Sequence, residues 1–137
     1  MADDGERSGD FDADELAMLR QLFRDEAHEA LEAVTARALA TGAGPPAPDA
    51  VPEMMRVTHT LKGSAGMLGM DTMVDLAHRL ESALALLRAG GWTAAIADQV
   101  IEIADGMRAY VDAPTAEADG IAARVRTQIA NLIAELG

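Results

Sequence analysis

His59-Thr60-Leu61-Lys62-Gly63-Ser64-Ala65-Gly66-Met67-Leu68-Gly69 has two faces when wound as a helix at about 100° per residue. Met54, Val57, Leu61, Ala65 and Leu68 stand at i, i+3, i+7, i+11 and i+14, an apolar stripe that must turn to a core. His59 falls opposite that stripe, flanked by Lys62, Gly63 and Gly66. Glycine inside a helix costs roughly 1 kcal/mol relative to alanine. Two glycines on one open face therefore imply that another molecule's surface approaches closely at His59.

Helical patterns continue on both sides. Upstream, Asp12 reads as a helix cap, Glu15 completes a capping box, and Phe11 can close on Leu16 as a hydrophobic staple. The core stripe of this first helix is Leu16, Leu19, Phe23, Ala27, Ala30 and Val34. Thr41-Gly42-Ala43-Gly44-Pro45-Pro46-Ala47-Pro48 ends it in a stiff loop. Asp49 can cap the helix that carries His59, with Pro52 tolerated in its first turn. Downstream, Asp71 is expected to cap a third helix with the stripe Met73, Ala77, Leu80, Leu84 and Leu87, stopped by Gly90-Gly91. Thr93 caps a fourth, which buries Ile96, Val100, Ile103, Met107 and Tyr110 and closes at Pro114. A fifth starts between Thr115 and Ile121 and buries Ile121, Val125, Ile129, Leu132 and Leu136.

Short connections favour antiparallel neighbours. The expected fold is all-α: an antiparallel up-and-down four-helix bundle over residues 11–113, with an additional C-terminal helix over 114–137. That helix either packs at the bundle's side or extends from it. Residues 1–10 are polar and acidic and are expected to be disordered.

Composition narrows the function. Half of the 137 residues are apolar, yet only Phe11, Phe23, Trp92 and Tyr110 are aromatic, which suits closely packed helices and not a sheet. A net charge of −12 argues against nucleic acid or an anionic membrane as partner. The absence of cysteine excludes disulfides and thiolate metal sites and points to a reducing compartment. With no run of 18 apolar residues and an acidic start, neither a membrane span nor a signal peptide is expected, and the location is expected to be cytoplasmic. His78 and Glu81 stand at i, i+3, but no Glu-x-x-His recurs on another helix, so no metal is expected. A phosphate-binding Gly-x-x-x-x-Gly-Lys loop and the kinase signatures are also missing.

His59-Thr-Leu-Lys62-Gly63-Ser-Ala-Gly66-Met-Leu-Gly69 resembles the phosphoacceptor motif of histidine-containing phosphotransfer domains. The likeness is strongest to the N-terminal domain of chemotaxis-type histidine kinases. Ala77-His78-Arg79-Leu80-Glu81 matches that subclass's His-x-x-Glu pair, and Leu22 to Leu31 matches its first helix. The resemblance covers about residues 11–113. Its loop between the first two helices is longer than such bundles usually show. The resemblance implies that His59 accepts a phosphoryl group from a histidine kinase catalytic domain or a receiver, and passes it to an aspartate of a response regulator receiver domain. ATP and Mg2+ would arrive with those partners, with none bound by this chain, which is expected to be monomeric.

Imidazole suits this work because its reference pKa, near 6.5, leaves it nucleophilic at neutral pH without an added base. Nε2 would attack, and Glu81, on the flank of the third helix, would accept a hydrogen bond from Nδ1–H and fix the tautomer. Lys62 would meet phosphate oxygens as a mobile point charge, and His78 would support the site. Gly63, Gly66, Arg56, Met55 and Met70 are the candidate partner-binding residues. The plainer readings are an ordinary exposed histidine, a Glu81 that merely pairs with Arg88 or Arg56, and a His28 on the open surface. The competing function is a structural docking module for which His59 is dispensable.

Overall fold

The computed structural model describes residues 11–137, and the expectation of disorder for residues 1–10 lies outside them. Five helices follow in order: α1 (Ala13–Thr41), α2 (Ala50–Met67), α3 (Asp71–Arg88), α4 (Ala94–Asp112) and α5 (Thr115–Leu136). They pack antiparallel. α1 lies between α2 and α4, α2 against α3, and α5 against both α3 and α4. The last helix therefore packs on the bundle rather than extending from it. Among the described residues no helix is long and apolar enough to cross a membrane.

The expected stripes form the core. Met73, Ala77, Leu80, Leu84 and Leu87 of α3 are all buried, as are Met54, Leu61 and Ala65 of α2 and Val125, Ile129 and Leu132 of α5. α1 departs from its stripe. Leu31 and Ala38 are buried with Phe23, Ala27 and Val34, while Leu16, Leu19 and Ala30 are only half-buried. For Leu16 and Leu19 the reason is length: α1 has 29 residues against 18 in α2, and the Ser64 Oγ to Glu26 Oε2 hydrogen bond of 3.0 Å fixes their register, whereas Ala30 borders an open groove against α2. The first turns of α1 consequently run past the end of α2 with less to pack against.

The helix starts differ in chemistry. The capping box at α1 forms, with the Glu15 amide donating to Asp12 Oδ1 at 2.8 Å and the Asp12 amide to Glu15 Oε1 at 3.0 Å. Thr93 caps α4 through the Ile96 amide at 3.1 Å. Asp49 stands at the N-cap of α2 with helical backbone angles and makes no capping bond, facing Arg37 at 3.5 Å instead. Asp71 does not cap α3: it is the first helical residue, and Met70 holds the cap position. A carboxylate there still favours the positive end of the helix dipole.

The Pro-rich loop is held by Trp92, whose indole N–H donates to the Gly42 carbonyl at 2.8 Å. Gly44 has φ +86°, and a Cβ there would sit 3.1 Å from Trp92 Cδ1, so backbone and packing both demand glycine. Gly106 in α4 answers a different need. A Cβ would lie 2.7 Å from Val125 Cγ2, because α5 crosses closely at that point.

Candidate functional site

Position 59 comes to the surface because its neighbours are committed inward. Thr58 is buried and donates its hydroxyl to the Met54 carbonyl at 2.7 Å, and Leu61 is buried on the other side. His59 is left outside, its side chain 68 % exposed. α3 packs along α2 and presents Glu81, 21 % exposed, on the flank expected from its sequence position.

One carboxylate holds two side chains. Glu81 Oε2 lies 2.8 Å from His59 Nδ1, and Glu81 Oε1 lies 2.6 Å from Lys62 Nζ. Burial pushes the Glu81 carboxyl up, but the hydrogen bonds from Lys62 and His59 and their charges outweigh it and hold it below the ordinary value. An ionised carboxylate only accepts, so Nδ1 is the donor to Glu81, and in the neutral ring the lone pair is then on Nε2. The plainer reading of Glu81 as a partner of Arg56 or Arg88 is not what the structure shows.

Lys62 differs from its sequence expectation. Its side chain is only 25 % exposed and is anchored on Glu81, not free in solvent. His78 is exposed on α3 and makes no hydrogen bond to His59, Lys62 or Glu81. Arg56 is held by both oxygens of Glu53, at 2.9 and 2.6 Å. Gly63 and Gly66 are exposed. A Cβ at Gly63 would meet nothing within 4 Å, and one at Gly66 only Val74 Cγ2 at 3.9 Å. Nothing inside the molecule requires either glycine.

Met55 and Met70 are half-buried and pack against the core. Among the described residues the methionine that reaches furthest into solvent is Met67, at 81 % exposure. With Leu19, Leu22, Phe23 and Leu68 it borders a shallow apolar groove of about 190 Å3 between α1 and the end of α2. The helical period does not put Met67 on the buried stripe of α2. Its position away from the stripe was the available signal. His28 is not simply surface either: its Nε2 lies 2.8 Å from Asp112 Oδ1 and ties α1 to the end of α4.

Residues 18–135 match the profile of the Hpt domain, from the first turns of α1 to the end of α5. The chain is 37 % identical over 73 residues to the chemotaxis protein CheA of Halobacterium salinarum, covering 52 % of this chain and 11 % of that protein. To the chemotaxis protein CheA of Rhizobium meliloti it is 31 % identical over 70 residues, 51 % of this chain and 9 % of that protein. The chain thus spans about a tenth of the length of these relatives. A match over most of the sequence, joined to the helical bundle and the histidine motif, makes this chain a member of the Hpt domain family, distantly related to part of the CheA chemotaxis kinases.

Proposed function

We propose that His59 is the phosphoacceptor of this Hpt domain, charged by a histidine kinase ATP-binding domain or a phosphorylated receiver and discharged onto a response regulator aspartate. The observation that carries this reading is the Glu81 carboxylate bound to both His59 Nδ1 and Lys62. In the step it supports, the Nε2 lone pair attacks phosphorus, and the bond to the donor's leaving oxygen breaks with its electron pair. Nδ1 keeps its proton, and Glu81 stabilises the cationic ring that results. Lys62, beside the same carboxylate, supplies positive charge for the phosphoryl oxygens.

Partner access follows from the surroundings. Gly63 and Gly66 leave the helix face shallow, and exposed apolar side chains follow it: Met67 at the end of α2, Leu22 across the groove on α1, and Met18 one turn before Leu22. ATP and Mg2+ enter with the partner domains, and the chemistry belongs in the cytoplasm with them. The test is labelling by a chemotaxis-type kinase domain and radiolabelled ATP. The label is expected on His59 alone, acid-labile and base-stable as a phosphoramidate is, and absent from His59→Gln. Wild-type labelling of His59→Gln would leave only the structural docking module.

A further inference from the structure

Two of the side chains on the proposed docking strip carry sulfur. Met67 is the most exposed large apolar side chain among the described residues, and Met18, at 66 %, stands one turn from Leu22 on the same face of α1. Met67 follows His59 by eight residues, about 12 Å along the helix, on its open side. Met54, Met73 and Met107 are by contrast fully buried. Among the described residues the thioethers therefore grade from Met54, Met73 and Met107 in the core, through the half-buried Met55 and Met70, to Met67 and Met18, which are exposed near the end of α2 and on the first turns of α1.

A thioether is soft and apolar, fit for an adaptable contact, but it is also the group that peroxides oxidise most readily after thiols. This chain has no cysteine to be oxidised first. We propose that Met67, with Met18, is a reversible oxidation site at which hydrogen peroxide weakens docking at the His59 face. The sulfur lone pair attacks one peroxide oxygen, the O–O bond breaks and water leaves. Sulfur is oxidised by two electrons to the sulfoxide, and the peroxide is reduced. The S=O dipole then stands unpaired where the partner presents an apolar surface, at a cost that corresponds to about tenfold in binding. The core is untouched, so the bundle stays folded. This inference rests on the phosphotransfer reading above.

The experiment uses the whole chain, a chemotaxis-type kinase domain to charge it, and a receiver domain that takes the phosphoryl group from the untreated protein. After brief hydrogen peroxide treatment, peptide mass mapping should find one added oxygen at Met67 and Met18 before any at Met54, Met73 or Met107. Transfer to the receiver should slow about tenfold with the helical circular dichroism unchanged. Methionine sulfoxide reductases for both epimers should restore the rate. The double variant M18L/M67L, compared with its own untreated rate, should lose less than twofold. Untreated protein that charges no receiver overturns the phosphotransfer reading and this inference with it. Untreated protein that transfers normally, with a Met67-oxidised form that transfers equally fast, overturns this inference alone. Oxidation of the buried methionines at the same rate as Met67 also overturns it.

Discussion

Glu81 sets the behaviour of two neighbours at once, so its replacement tests more than one bond. Glu81→Gln keeps the shape but loses the charge that favours a cationic ring, and it releases Lys62 from its ion pair. Changes to a group that orients a reacting histidine typically cost roughly 10 to 100-fold, and stopped-flow labelling of His59 should fall in that range with the circular dichroism preserved. Because the Glu81 carboxyl is held below its ordinary value, its ion pairs contribute fully above about pH 4.3 and fade as pH falls through the lowered folded value. Much of this site was legible in the sequence: the glycine-cleared face isolated His59, and the family resemblance placed Glu81. The anchoring of Lys62 was not legible, since nothing in the spacing of α2 says which oxygen on α3 its ammonium will find. Met67 was obscured for a related reason. A methionine's period tells which way it points but not whether a neighbouring helix covers it.

At the scale of the helix, two glycines make opposite predictions. Gly66→Ala adds a methyl with 3.9 Å to its nearest neighbour and removes backbone freedom, so urea unfolding should show a gain of up to about 1 kcal/mol. Gly106→Ala gains the same helix propensity but drives its Cβ to 2.7 Å from Val125 Cγ2, on a β-branched side chain that rotates little. Overpacking of this kind costs about 1–3 kcal/mol, so after the propensity gain the net change should be destabilising by up to about 2 kcal/mol. Gly66→Ala failing to stabilise would mean that the open face is strained. The extents of the first four helices could be read to within a residue or two from period and breakers, because burying a stripe and stopping at Gly or Pro are local decisions, while Gly120 left the start of α5 open between Thr115 and Ile121. Spacing alone does not tell that Asp49 holds the N-cap position without a capping bond or that Asp71 is one residue inside its helix, because a carboxylate near a helix start serves equally as a cap, a first-turn charge or a partner for an arginine. The uneven burial of α1 depends on the length of another helix, which no local pattern encodes.

Across the whole molecule, α5 is tied to α3 by Asp75, which accepts from Arg126 Nε at 2.8 Å and from Arg79 Nε at 3.0 Å. The hydrogen bond from Arg126 comes first in holding the Asp75 carboxyl below its ordinary value; burial opposes it, and Arg79 reinforces it. A depressed carboxyl stabilises the fold above its unfolded value, about pH 3.9, and that contribution is lost as pH falls through the folded one. Asp75→Asn should cost about 1 kcal/mol or less at pH 7, as half-exposed ion pairs do, and the difference from wild type should close below about pH 4 in thermal melts. At the far end of the bundle, Trp92 is the chain's one indole, clasped against Gly42 and Gly44 where α2 begins. His59 lies nine residues further along α2, about 14 Å away along its axis. The protein thus carries its own optical gauge, reading the loop end alone: intrinsic fluorescence should shift to the red when that clasp opens and stay level when a phosphoryl group arrives at His59.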